Sequence, residues 1–484
     1  MKSFIFQIRI IALLFVSVLF FSCEDEEGAR PDSLSVEVAN DFETSFGNTV
    51  ELDGSRTSDA SGATISYNWE AVSFPGDHFD ANSLEQTTSP IARFTPMQVG
   101  EFVFRLTAST EFETKSATMM VSVDAQTVEI GGVISGVTET WGRTTPEGMP
   151  DYRVTSLISL RESQIKVLPG VEIEMTENVG INVEANSFFD LEGTEDQPII
   201  IQGRENTKGF WTSIRWVSGS ANNRMLHVHV SDGGRNRNND RGMITFGNNG
   251  SLHMESCILR NASNAAVEIG IVTGRSGVNF THIANDYKEN VRPALIKADY
   301  FHVLDSESDY TGNDEDIIDS RLNFATVPTD DVTWEKLNVP YVAGGFAVDG
   351  DLTIQAGAHV QIGGGDNMIR VTNGTIKLEG TEDEPVLIEG VESGAGTWRG
   401  IYITSSGGNS IDHAIISGTG SRVVTSGAQL AAVFVRNGNA TIDNTLFRDG
   451  RGYGYATWGG APLINAGENN RIENMGMGLT NMED

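Results

Sequence analysis

Cysteine is nearly absent from this chain: among 484 residues only Cys23 and Cys257 occur, so no intramolecular disulfide framework is available. Basic charge is also scarce. Thirty-three Lys and Arg face 66 Asp and Glu, a formal net charge of −33, and no Lys/Arg-rich run appears. Such a surface repels phosphate backbones, which excludes nucleic acid as a partner. Long helical apolar periodicities are missing, which points away from a helical fold. What is plentiful is glycine, 53 residues of it, spaced between short alternating apolar runs. That combination predicts an all-β protein with many turns.

The chain also repeats itself. Leu191-Glu192-Gly193-Thr194-Glu195-Asp196-Gln197-Pro198 returns as Leu378-Glu379-Gly380-Thr381-Glu382-Asp383-Glu384-Pro385, 187 positions later. The same shift carries Gly170 onto Gly357 and Trp211 onto Trp398, and a shift of 188 carries Cys257 onto Thr445. A duplication of this length built from short apolar runs predicts a repetitive β architecture. Residues kept in both copies are better explained by a shared scaffold than by one active site. On that ground Trp211 and Trp398 are packing residues, and Cys257 is a small inward-facing side chain rather than a reactive thiol.

The N-terminus reads as a processing segment. Lys2 and Arg9 precede an apolar stretch, Ile10 to Phe21, too short to span a bilayer with its flanks. It ends at Leu19-Phe20-Phe21-Ser22-Cys23, which resembles the lipobox of bacterial lipoproteins and implies lipidation of Cys23. Glu24, Asp25, Glu26 and Glu27 follow. This acidic run resembles the export signal that sends lipoproteins of Bacteroidetes-type bacteria to the outer face of the outer membrane. The resemblance implies a signal peptide at residues 1–22, an acidic tether at 23–33, and an outer-membrane lipid anchor facing the exterior.

Residues 34–126 read as a small β-sandwich. Alternating runs mark its strands: Val50-Leu52, Ile65-Tyr67-Trp69, Ile91-Phe94, Phe102-Phe104-Leu106 and Met119-Val121-Val123. The motifs Val50-Glu51-Leu52-Asp53-Gly54-Ser55, Ser66-Tyr67-Asn68-Trp69 and Gly100-Glu101-Phe102-Val103-Phe104 resemble the PKD family, an immunoglobulin-like extracellular module. Trp69 is then a core residue between the sheets.

From residue 127 onward, apolar triplets recur between polar turns: Val171-Ile173, Ile181-Val183, Ile199-Ile201 and Ile214-Trp216, then Leu352-Ile354, Val360-Ile362, Val386-Ile388 and Ile401-Ile403. Strands this short are stable only when stacked rung upon rung. The pattern resembles the right-handed parallel β-helix of pectin-lyase-like proteins, with one module at 127–330 and a second at 331–484. Rungs of about 22 residues rising about 4.8 Å each predict a rod on the order of 70–80 Å long. The phrases Leu168-Pro169-Gly170-Val171 and Trp334-Glu335-Lys336-Leu337-Asn338-Val339-Pro340-Tyr341 also look like a family of Bacteroidetes surface lipoproteins with duplicated β-helix modules. That resemblance implies location and fold without a reaction.

Enzymes on this fold cleave polysaccharides, with paired carboxylates or with calcium and a basic residue. A glycine-histidine-glycine run and clustered aspartates, the signatures of those enzymes, are not in the sequence; Asp330-Asp331 is the one adjacent aspartate pair. No catalytic residue and no cofactor is assigned. Asp305, Glu307, Asp309, Asp314 and Asp316, with Asn313 and Glu315, form the densest oxygen cluster; as metal ligands they would hold Ca²⁺, and otherwise they are a solvated connector. His227 and His229 alternate and would share one strand face. Tyr453, Tyr455 and Trp458 stand in a glycine-rich stretch with no evident counterpart after Arg260, and suit either a sugar-stacking platform or a cap on the core. The expected function is a non-catalytic surface scaffold or adhesin that binds a polysaccharide or a surface protein. The alternatives are a polysaccharide lyase or hydrolase, and a structural surface-layer component.

Overall fold

The computed structural model describes residues 33–484 apart from 77–78, 237–239, 271–275, 322–324, 328–329, 459–463 and 483–484. The segment with Lys2, Arg9, Cys23 and the acidic quartet, and Gly459-Gly460, lie outside the described residues. Among these the fold is almost wholly β, with helix confined to two short 3-10 turns, Ala81–Ser83 and Ala298–Val303. The chain forms two compact units, built mainly from Val50–Phe94 with Glu101–Val121 and from Ser122–Asp484.

The first unit is an antiparallel sandwich. One sheet orders Phe42–Ser45, Thr114–Asp124, Gly100–Ser109 and Ser66–Ser73; the other orders Val50–Asp53, Ile91–Phe94 and Leu84–Glu85. Alternate residues point inward, so Leu52, Trp69, Phe94, Phe102, Phe104 and Leu106 make the core. The Phe94 ring lies 4.9 Å from Phe102 and 4.7 Å from Phe104. Trp69 donates its indole N–H to the Ser89 carbonyl at 3.2 Å, which satisfies its one polar atom within the core. Gly54 is required by space: a Cβ there would stand 2.4 Å from Leu106 and 3.1 Å from the Trp69 ring.

The second unit is a right-handed parallel β-solenoid. Its inward side chains stack as like on like. Ile173, Ile201, Val230, Leu259 and Tyr287 follow one another in register, each almost wholly buried. A buried aliphatic side chain of this kind contributes about 1.5–3 kcal/mol. Rung length varies more than the 22 residues the sequence suggests. Tyr341 pairs with Val360, 19 positions on, and Val183 with Trp216, 33 positions on. The corners absorb the difference, because only the three short strands of each turn are held to a register.

The repeated phrase has a local physical reason. Gly193 and Gly380 begin a turn that passes over a neighbouring corner; a Cβ would stand 2.5 Å from the His227 carbonyl oxygen in the first copy and 2.0 Å from that of His413 in the second. Thr194 and Thr381 then close the turn, each hydroxyl accepting from the N–H of Gln197 or Glu384 at 3.1 Å. A second shared device uses asparagine. Asn285 accepts from the Cys257 N–H and donates to the Met254 carbonyl, and Asn470 does the same with Thr445 and Ile442.

One ladder of fourteen strands runs through both copies without a break. It joins unlike parts of them. Ile214–Trp216 belongs to this ladder, whereas its duplicate Ile401–Ile403 lies in the neighbouring sheet. Glu172–Met175 lies beside the ladder, and its duplicate His359–Ile362 lies in it. The connector is responsible: Ala298–Val303, the Asp286–Asp309 bridge and Ile318–Ser320 insert strand positions that are not a whole number of turns. Duplicated residues therefore face directions one sheet apart.

Candidate functional site

The acidic cluster of the connector does not converge. Asp305 accepts from Ser308 Oγ at 2.8 Å and from the Glu307 and Ala284 N–H groups at 3.0 and 3.2 Å, and its Oδ2 meets His282 Nδ1. Asp309 meets Lys288 Nζ and accepts from Asn338 Nδ2 at 2.8 Å. Asp314 pairs with Lys208 at 2.8 Å, Asp316 accepts the Gly312 and Asn313 N–H groups, and Glu307 is exposed. Among the described residues no three His, Cys, Asp or Glu side chains are placed to hold a metal ion. The carboxylates expected to hold Ca²⁺, those of Asp305, Glu307, Asp309, Asp314 and Asp316, are thus not brought together: Asp305, Asp309, Asp314 and Asp316 serve local turns and cations, and Glu307 is exposed.

Asp305 does something else. His282 is buried between it and Tyr287, whose hydroxyl lies 2.6 Å from Nε2, and Tyr310 donates its hydroxyl to the Asp305 carbonyl at 3.0 Å. The Tyr287 and Tyr310 rings stack 5.3 Å apart. Burial acts to raise the Asp305 carboxyl, but the His282 hydrogen bond and charge, helped by Ser308, outweigh it and hold the group at about 2. Burial drives both tyrosine hydroxyls well above their ordinary value. This polar network clamps the connector where the two copies meet. Nothing in the sequence foretells it, since its members are drawn from two successive rungs.

His227 and His229 do not share a strand. His227 turns the corner between Arg224–Leu226 and Val228–Ser231 with φ 47°, and His413 does so with the same φ in the second copy. A left-handed residue breaks the alternation, so the shared-face expectation fails there. His229 is half-buried on the following strand, its pKa lowered by burial and then by Arg260 and His227. Cys257 is buried, and burial pushes its thiol up to about 12, which keeps it protonated and unreactive. Trp211 and Trp398 are fully buried, and each donates its indole N–H at 2.7 Å, to the Ser231 and Ser417 carbonyls.

Tyr453, Tyr455 and Trp458 lie on one strand, Tyr453–Trp458, which is the counterpart of Ala265–Ile269; the stretch does have a partner in the first copy. The strand separates the three, although Tyr453 and Tyr455, two positions apart, would share a face under strict alternation. Tyr455 points inward, 4% exposed, against Phe447, so its place on a binding platform is corrected. Tyr453 and Trp458 are partly exposed and pack outside the solenoid core with Met368, Tyr402 and Ala428 around buried Phe434 and Val424. The Arg436 guanidinium lies 4.1 Å from the Trp458 ring centre. The loop carrying Val424 is tied down by Ser421 Oγ to the Gly365 carbonyl at 2.6 Å and by Arg422 to Asp366 at 3.0 Å.

The outer residues in register on this face are Arg370, Tyr402, Phe434 and Ala456. Their duplicates in the first copy are Asn182, Arg215, Thr245 and Glu268. The same face is polar in one copy and aromatic in the other. Tyr402 and Phe434 escape a reading of the sequence because each lies a full rung from its neighbour; the usable signal is the pair Ile401-Ile403 and Val433-Val435, whose intervening residues are Tyr and Phe.

Residues 39–123 match a family model described as a PKD domain. A solution structure of the PKD domain from KIAA 1837 protein is 31% identical, covers 20% of this chain and 91% of that chain, and has a TM-score of 0.17. A nucleoside hydrolase-related hypothetical protein from Saccharophagus degradans, described as associated with carbohydrate metabolism, is 23% identical, covers 19% of this chain and 26% of that chain, and has a TM-score of 0.17. A comparison with curated proteins finds no match. The chain is thus a PKD domain followed by a parallel β-solenoid, an arrangement that fits a surface-associated scaffold or binding protein.

Proposed function

We propose that the protein is a non-catalytic scaffold, lipid-anchored through Cys23 at the outer face of the outer membrane, whose second solenoid copy binds neutral polysaccharide. The observation that carries the binding role is the change of one face from Asn182, Arg215, Thr245 and Glu268 to Arg370, Tyr402, Phe434 and Ala456, with Tyr453 and Trp458 beside it. A scaffold needs no partly exposed aromatic rings such as those of Tyr402, Tyr453 and Trp458, whereas pyranose rings present apolar faces that stack on them. A net charge of −33 disfavours uronate polymers and leaves neutral glycans as the matching class.

Electrophoresis of the native chain through gels containing xyloglucan, galactomannan, mixed-linkage glucan or pectate tests this directly. Retardation by a neutral polymer, without new reducing ends and without retardation by pectate, is expected; migration unchanged in every gel would sink the reading. The anchor is tested separately: Cys23→Ala should move the protein from the membrane fraction to the soluble fraction, and protease added to intact cells should digest the wild type. Protection from protease in intact cells would reverse the outward assignment.

A further inference from the structure

A second feature of the second copy lies at a different corner of the coil. A groove of about 690 Å³ crosses the turns between the ladder of Thr375–Glu379, Asn409–Asp412, Ala440–Asp443 and Ile464–Ala466 and the ladder of Val386–Gly390, Ala414–Ser417, Leu446–Arg448 and Arg471–Glu473. Its existence follows from unequal turn lengths. The middle two corners are tight, with His413 and Asn444 both at φ 47°, whereas the turn at 380–385 and the one at 467–470 are longer and rise as walls. The first wall is fixed by the Thr381–Glu384 hydrogen bonds, and the Gly380 N–H is held by the Asp412 carbonyl at 3.0 Å. The Val386 N–H meets the His413 carbonyl at 3.0 Å, so the floor's backbone is already paired and a ligand meets side chains.

Those side chains are of two kinds. Glu382 and Glu468 offer carboxylate acceptors, while Asn444, Asn469 and Arg471 offer donors. Pro385, Ile415 and Leu446 supply apolar surface between them. Asn469 donates to Asn444 Oδ1 and Asn444 donates to Asp412 Oδ1, each at 2.9 Å, which orients both amides along the groove. Mixed donors and acceptors suit hydroxyl groups, which are both at once. The groove spans four rungs, about 14 Å at about 4.8 Å per step. The walls stand on the first and fourth of these rungs, so the floor between them is the two corners of His413 and Asn444, about one pyranose unit apart along the axis, and a sugar set between the walls meets polar side chains on both sides.

We infer that this groove is a second polysaccharide subsite, holding about one or two neutral sugars between its walls by hydrogen bonds to Glu382, Asn444, Asn469 and Arg471. It rests on the reading above for its ligand class, and it adds a contact one ladder away from the aromatic face. The first copy supplies the control. At the equivalent corner Ser256 stands for Asn444, with φ 53°, and Asp286 pairs where Arg471 does. The shared corner geometry means that Asn444→Ser and Arg471→Asp rewrite the groove with residues that this fold already carries.

The test uses the full chain in the same neutral-polysaccharide gels, with polymer concentration varied to give an affinity. The double variant N444S/R471D should keep the wild-type melting temperature and bind about tenfold more weakly, the loss of one or two hydrogen bonds. Single Glu382→Gln, which keeps the shape, should weaken binding less. Affinity of the double variant within twofold of wild type, while Trp458→Ala loses retention, would overturn the groove and leave the aromatic face standing. Failure of the wild type itself to be retarded by any neutral polymer would overturn both.

Discussion

The two copies of the solenoid share their inside and differ on their outside. Each has a buried tryptophan with its N–H on a serine carbonyl at 2.7 Å, a glycine passing over a left-handed histidine corner, and an asparagine bridging two rungs. Outside, Arg215 becomes Tyr402, Thr245 becomes Phe434, and Ser256 becomes Asn444. The lesson is that a duplicated coil divides labour by direction. Inward positions are constrained by packing on both neighbouring rungs, so they tolerate little change. Outward positions are constrained only where a ligand or a covering loop meets them. Because the connector turns the second copy by one sheet, the two versions of a face are not aligned, and they cannot act as one continuous strip.

The largest effect expected concerns what the copies share. Trp211→Ala and Trp398→Ala should each cost about 3–5 kcal/mol in urea unfolding, alike in both copies. A cost confined to one of them would break the claim of a common scaffold. Next comes the connector. Asp305→Asn should cost about 1.5–3 kcal/mol, the worth of hydrogen bonds to a charged group. Its folded carboxyl sits at about 2 against an ordinary 3.8, so its contribution is complete above that ordinary value and is lost as pH falls toward about 2. The stability gap between wild type and Asp305→Asn should therefore be constant near neutrality and close in acid; a gap that persists at the acid limit would show that charge is not its source.

A smaller effect separates the copies. Trp458→Ala should cost about 1–2 kcal/mol, because the ring is only partly buried and stacks on Arg436, yet it should abolish most polysaccharide retention. Arg215→Ala on the matching face of the first copy should leave retention unchanged. The smallest change expected is Cys257→Thr, which installs the residue of the second copy. Thr445 Oγ donates to the Asp443 carbonyl at 2.7 Å, as the Cys257 thiol does to that of Glu255, so the variant should stay within about 1 kcal/mol of wild type. The native Cys257 thiol should also resist alkylation at pH 8 until the protein is unfolded.

Much of this fold is legible in the sequence. Ile181–Val183, Ile214–Trp216 and Ile401–Ile403 are strands at the bounds their alternation gives, and the PKD-like motifs sit on strands around Trp69. What escapes is whatever depends on register between rungs. The strand expected to carry both His227 and His229 is cut in two at His227, because one left-handed residue reverses a corner without any glycine to announce it. Asp305 resembles a calcium ligand because sequence proximity groups it with other carboxylates, whereas its partners His282 and Tyr287 come from the preceding rung. Tyr402 and Phe434 lie 32 positions apart and become neighbours only through pairing. Composition groups Tyr455 with its aromatic neighbours, and strict alternation would keep it with Tyr453, yet the strand buries Tyr455 inside and leaves Tyr453 in the outer cluster.

The most direct test rewrites the partly exposed rings of the second copy with the residues of the first. The variant Tyr402→Arg, Tyr453→Ala, Trp458→Gly takes its side chains from Arg215, Ala265 and Gly270, and leaves Phe434 and the inward stack untouched. Its far-UV circular dichroism should remain that of a β-protein, while its retardation by neutral polysaccharide should disappear. A folded variant that is retarded as strongly as the wild type would contradict the account, because binding would then reside somewhere other than on these rings.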